Sequence, residues 1–127
     1  DKKTDDVLAL IDLDTIMPGC VLSDIGDMIR TYSNPVGEEY KKIDKVVCNM
    51  EIINTIIQEF TKKVALGKKE IENLFFGGMA ITFMQSVRFL TDYLNGDSYY
   101  KTSYKDQNLV RAKNQWALYK SLKIKAL

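Results

Sequence analysis

Residues 7–13, VLALIDL, form the one run in the chain that reads as a strand covered on both faces. That run constrains the fold most, because a lone strand leaves backbone donors and acceptors open along both edges. Three sources of partners are open: a second strand around residues 44–47, strands of a segment upstream of this sequence, or another copy of the chain. The run ends at Pro18-Gly19, a turn signal.

Beyond Gly19 the pattern is helical in period. Asp24 precedes IGDMIRTY, which suits a helix with Asp24 as N-cap and Asp27 in its first turn. Asn34-Pro35 closes that helix, since the residue before proline avoids the helical region. VGEEYKKIDK is polar and reads as a loop. After Asn49, the residues Ile52, Ile53, Ile56, Ile57, Phe60 and Val64 recur at helical intervals until Leu66-Gly67 breaks the pattern. A long helix is expected over Lys68–Leu94, with Ile71, Leu74, Phe75, Gly78, Phe83, Val87, Leu90 and Leu94 as its apolar stripe. Asn95-Gly96-Asp97 tolerates left-handed backbone and stops it. A last helix starts near Gln107 with Asp106 as cap; Leu109, Ala112, Trp116, Tyr119 and Leu122 form its stripe, which assigns Trp116 to the core.

The fold class expected is therefore mainly α with a short β element near the N-terminus. At 127 residues the chain suits one domain with a real core. A net charge of +1, with both signs mixed along the chain, excludes a nucleic-acid or membrane surface built on bulk charge. No fully apolar run reaches the roughly 18–20 residues of a bilayer span, and DKKTDD has no hydrophobic region of a secretory leader. Cys20 and Cys48 form no CxxC, which suggests a reducing, cytoplasmic setting. Histidine is absent, so the commonest general base and zinc ligand are missing, and any metal is expected to be a hard cation held by oxygen.

Asp12 and Asp14 are the natural oxygen donors. The alternation of a strand sets both on one side with Leu13 opposite, a pair suited to Mg²⁺ alongside substrate phosphates. The spacing alone equally allows one acid to cap the following turn and the other to be solvated.

Longer strings are more specific. ALIDLDTIMPG and LSDIGDMIRT resemble the metal-binding segment of the aminoglycoside phosphotransferase/choline kinase superfamily. RFLTDYLNGDSYYK and NLVRAKNQWAL are similar to the C-terminal region of N-acetylhexosamine 1-kinases, relatives labelled mucin-desulfating proteins. The likeness covers nearly the whole chain, but residues 36–71 share only a helical pattern.

That resemblance implies that residues 1–127 are the C-terminal part of a kinase-like C-lobe, with the N-lobe and catalytic loop absent. Asp12 would bind Mg²⁺ at the nucleotide phosphates, Asp14 would be a second-metal or outer carboxylate, and Thr15 would line the sugar side. Asp24 and Asp27 would tie the metal loop in place. Arg88 and Tyr99 would belong to the hexosamine pocket, where a guanidinium and a phenol suit hydroxyls and an N-acetyl carbonyl. DKKTDD would be the turn of a hairpin leading from the catalytic loop, so the catalytic base itself lies outside this sequence. The implied reaction is phosphoryl transfer from ATP to the anomeric hydroxyl of an N-acetylhexosamine, with Mg²⁺ as cofactor, by a parent of which this chain alone is inactive. The alternatives are a related choline, homoserine or aminoglycoside-type kinase, or a non-enzymatic helical interaction module. The partners implied are a sugar and a nucleotide, with a homodimer formed through surface that truncation exposes.

Overall fold

In a computed structural model the described residues, 4, 7–9, 11, 13 and 16–126, include four α-helices. Helix α1 spans Val21–Tyr32, α2 Met50–Lys63, α3 Lys68–Leu94 and α4 Gln107–Lys125, with a single 3₁₀ turn at Ile43–Lys45 between α1 and α2. Among the described residues there is no strand. Val7, Leu8 and Ile11 are 86%, 76% and 82% exposed, so the expected β element is not formed by the residues described there. Residues 44–47, one of the three open sources of a partner strand, form the 3₁₀ turn and its exit. Among the described residues no extended neighbour supplies the ladder that a strand needs.

Helix α3 is central, with α1 and α4 packed along it. The crossing with α1 is a backbone-to-backbone approach. A methyl group placed on Gly26 would lie 2.6 Å from the Gly77 carbonyl oxygen, and one on Gly77 would lie 2.6 Å from the Leu22 carbonyl oxygen. Gly78 receives the Ile29 side chain in the same way, its missing Cβ lying 2.6 Å from Ile29 Cγ2. Only glycine allows helices this close. Ile25, Ile29, Ile53, Leu74, Leu118 and Leu122 fill the core around the crossing, joined by Val46 and Cys48 from the loop before α2.

Close packing also decides which face of α3 is buried. Leu74, Gly77, Gly78, Thr82, Ser86, Phe89 and Asp92 are inside, while Ile71, Phe83, Val87, Leu90 and Leu94 of the expected stripe face outward. An 18-residue window of α3 has the length and a mean hydropathy, 1.2, suited to a bilayer span. Its buried Thr82, Ser86 and Asp92 instead carry hydrogen bonds within the helical assembly. Trp116, expected in the core, is 44% exposed and joins Phe83 and Tyr119 in an aromatic cluster with centroids 5.3–6.1 Å apart.

The helix ends follow local rules with two departures. Asn49 caps α2 by accepting from the N–H groups of Glu51 and Ile52 at 2.9 and 3.2 Å. Glu70 reaches back to the Gly67 N–H at 2.7 Å at the start of α3. Helix α1, however, begins one turn before Asp24: its N-cap is Cys20, Asp24 lies in the first turn and Asp27 in the second. Asp106 precedes α4 as expected, but in left-handed conformation (φ 65°), and its carboxylate accepts from the Tyr93 hydroxyl at 3.1 Å rather than from the helix.

The glycine crossing yields a stability prediction. Gly77→Ala regains about 1 kcal/mol of helix propensity but overpacks a backbone contact at roughly 1–3 kcal/mol. We expect a net loss of up to about 2 kcal/mol in urea denaturation. Gly37→Ala, a site with open space around it, should move the midpoint little.

Candidate functional site

Four residues of α3 at helical spacing, Gln85, Arg88, Phe89 and Asp92, share one stripe that ends at the helix C-terminus. The chain reverses there through Asn95, Gly96 (φ 82°) and Asp97 (φ 56°), and the Asp97 N–H closes on the Asp92 carbonyl at 2.9 Å. Residues 98–100 are thereby brought back alongside the helix they left.

Asp92 fixes that return. Its Oδ1 accepts from the Tyr99 N–H at 2.8 Å, and its Oδ2 accepts from the Tyr100 N–H and from Asn108 Nδ2 of α4, both at 2.9 Å. Asn108 Nδ2 also donates to Asp97 Oδ1 at 2.9 Å. Burial pushes the Asp92 pKa up, but the backbone N–H groups of Tyr100, Tyr99 and Ser98 and the Ser98 hydroxyl outweigh it and hold the carboxyl below its usual range. One carboxylate thus ties together α3, the returning loop and α4.

The result is a cleft of about 370 Å³ lined by Val87, Arg88, Thr91, Asp92, Asn95, Ser98, Tyr99 and Tyr100. The Arg88 guanidinium lies 5.8 Å from the Tyr99 ring centroid and 5.5 Å from that of Tyr100, within cation–π range. Tyr99 and Tyr100 meet edge to face at 4.8 Å, and Tyr100 packs on Phe89 at 4.7 Å. Chemically the cleft offers an arginine with donors to spare, hydroxyls, an amide and aromatic faces. Its carboxylate is already occupied by donors.

A second polar assembly adjoins the first along α4, where Arg111 donates to Asn108 Oδ1 at 3.2 Å. Asn114 donates to the Gly37 and Tyr40 carbonyls at 3.1 and 3.2 Å and accepts from Asn34 Nδ2 at 3.2 Å. Gln107 Nε2 donates to Glu39 at 2.5 Å, and Arg111 pairs with the same carboxylate while donating to the Lys101 carbonyl at 3.3 Å. The Arg111 and Gln107 hydrogen bonds hold the Glu39 pKa below its usual range. The bracing links the loop after α1 to the loop before α4.

The structure brings together Arg88 and Tyr99 of the sequence-derived site residues. Asp24 and Asp27 lie apart from the cleft, exposed on α1; Asp27 pairs with Arg30 at 2.8 Å. Asp12, Asp14 and Thr15 lie outside the described residues. Among the described residues no group of three or more Cys, Asp or Glu is arranged to hold a metal, so a fit for Mg²⁺ rests on none of them. Sequence reasoning missed Asp92, Gln85, Tyr100 and Asn108. The sequence signal for Asp92 is a charge inside an otherwise apolar helical run, four residues after Arg88 on the same face. No family model matches the chain.

The depressed Asp92 pKa sets a pH dependence. Its contribution to stability should be fully present above the unfolded carboxylate pKa of about 4 and lost as pH falls through the lower folded value. Asp92→Asn should therefore lower the melting temperature at pH 7 and remove part of the fall seen below pH 4. Circular dichroism melts at a series of pH values check this; parallel curves for variant and wild type would refute it.

Proposed function

We propose that the chain is the substrate-side part of an ATP-dependent sugar kinase of the N-acetylhexosamine 1-kinase type, cytoplasmic, taking a sugar and a nucleotide as its small-molecule partners. The observation that carries this reading is the meeting of Arg88 and Tyr99, eleven residues apart, across one cleft, the two residues that the resemblance assigns to the hexosamine pocket. The cleft chemistry supports it. Arg88 forms no ion pair with a described carboxylate, and the Asp92 oxygens already accept from backbone N–H groups, so the hydrogen-bonding capacity left open is that of the Arg88 donors. Such a cleft suits a neutral ligand rich in acceptors, such as a sugar with an N-acetyl carbonyl. The open Arg88 guanidinium is a poorer match for the cations choline and aminoglycosides, and those kinase alternatives are second in this proposal. Arg88 and Tyr99 orient the sugar; orientation is the share of catalysis this part of the molecule supplies. Phosphoryl transfer needs a base and metal ligands beyond these residues. The assignment of Asp12 and Asp14 to Mg²⁺ at the ATP phosphates rests on the sequence resemblance alone.

A specific observation also favours the non-enzymatic reading. Phe83, Val87, Leu90 and Trp116 leave an apolar face on α3 and α4, and such faces bind other proteins. Sugar titration decides between them. The chain should bind N-acetylglucosamine or N-acetylgalactosamine more tightly than glucose, measured by NMR shift perturbation. Arg88→Ala should weaken that binding about tenfold, the loss of one charged hydrogen bond. Equal, non-saturating responses to all three sugars would defeat the kinase reading.

Association forms part of the same proposal. Val7, Leu8 and Ile11 present apolar side chains that on this reading are covered in the parent, and a homodimer covers them in the isolated chain. Light scattering at micromolar concentration should give twice the chain mass, and Leu8→Asp should shift it toward the monomer. A monodisperse monomer would sink the homodimer.

A further inference from the structure

An arginine on a helix surface is a poor recognition group unless something holds it still, because ordering its side chain costs rotamer entropy. Arg88 has no carboxylate partner among the described ion pairs to do this. Two other residues surround it. Its Nη1 donates to Gln85 Oε1 at 3.5 Å, one helical turn back. The Gln85 amide uses its other end to donate to the Tyr100 hydroxyl at 3.2 Å. Tyr100 in turn presents its ring to the guanidinium.

The two tyrosines differ in how firmly they are set. Tyr100 is held at three points: its N–H on Asp92, its ring on Phe89 and its hydroxyl on Gln85. Tyr99 is tied by its N–H to Asp92 and touches Tyr100 edge-on, with 73% of its surface exposed. The fixed wall beside Arg88 is therefore Tyr100, and Tyr99 is the face left open to a ligand.

We propose that Gln85 and Tyr100 are the positioning residues of the cleft: they fix the Arg88 guanidinium so that its remaining N–H groups meet acceptor oxygens of the sugar. The ligand's identity rests on the sugar-kinase reading; the positioning of Arg88 does not. The arrangement works by pre-organisation, since a donor already in place loses less freedom on binding. Neither residue needs to touch the sugar, so each acts on affinity through Arg88.

The test has two readouts on the same chain. In ¹⁵N–¹H spectra of the arginine side chains, the Arg88 Hε should be displaced from the free-arginine value by the tyrosine ring currents. Tyr100→Leu should return it to that value, Gln85→Leu should move it part of the way, and melting curves should show both variants folded. Gln85→Glu, which keeps an acceptor for Arg88 and for the Tyr100 hydroxyl proton, should preserve the displacement. Titration with N-acetylglucosamine and N-acetylgalactosamine should give Kd values about tenfold weaker for Tyr100→Leu and near wild type for Gln85→Glu, scaled to one charged hydrogen bond. A wild-type Hε at the free-arginine value, or one that Tyr100→Leu leaves in place, overturns the positioning. A lost displacement with unchanged Kd also overturns it. Wild type that binds neither sugar, with the displacement present and lost in the variants, overturns the sugar reading while upholding the positioning of Arg88.

Discussion

The contact between Gly26 and Gly77 governs the rest of the molecule. Two helices that touch backbone to backbone cannot also place large side chains between them, so α3 turns its small residues inward. The consequence runs along the helix. With Gly77 and Gly78 fixed against α1, the same face continues through Thr82 and Ser86 to Asp92, and α4 closes on it with Ser86 donating to the Ala112 carbonyl at 3.1 Å. The large apolar residues of α3 are displaced to the outside by this choice, although they are the better candidates for burial by transfer free energy alone. The close crossing recovers part of that difference through dispersion between well-fitted atoms.

A core with so many small residues is finished by polar ones. Asn108, Asn114 and Gln115 of α4 are almost fully buried, and each is hydrogen-bonded. Their net worth is modest per bond, but leaving any of them unmade costs the full desolvation of the group. That asymmetry converts the buried amides into specifications. Asn114 accepts one loop conformation at residues 34–40, and Asn108 accepts one at residues 97–100. Arg111 adds a third constraint, stacking on Phe89 at 5.5 Å while reaching the Lys101 carbonyl and Glu39. Loops that lack secondary structure are thus held by helix side chains.

Much of the helical layout was legible in the sequence because it rests on local chemistry. Asn49 before an apolar period, Gly67 before Lys68 and Asn-Gly-Asp after Leu94 are signals that act within one turn, and the helices begin and end close to them. Partnership between elements was not legible. Periodicity ranked Phe83, Val87 and Leu90 as core because they are apolar, whereas the crossing selected Gly77, Thr82 and Ser86 because they are small. The described residues of the 7–13 run form no strand, because an apolar run states a need for cover without naming a neighbour. Asp24 looked like a cap by residue type, but the helix had already begun at Val21, with Cys20 in the cap position. At the cleft, Arg88 and Tyr99 came from resemblance. Asp92 stayed hidden because its role depends on where the chain goes after α3 ends, which is decided by two left-handed residues and an asparagine on another helix.

The cleft and the fold therefore share one element. Gln85, Arg88, Phe89 and Asp92 repeat at three and four residues, so one stripe carries the Arg88 guanidinium, the Gln85 amide beside it, the floor under Tyr100 and the anchor of the returning loop. Opening the loop requires breaking the Asp92 bonds to Tyr99 and Tyr100, at a carboxylate that also holds Asn108 of α4, itself bonded to Asp97 of the loop. A site mounted this way resists local fluctuation, because its supporting bonds are cooperative with helix packing. It also explains why a carboxylate lies beneath an arginine without forming an ion pair with it. With its lone pairs spent on backbone N–H groups and an amide, Asp92 holds the geometry of the returning loop and does not pair with Arg88.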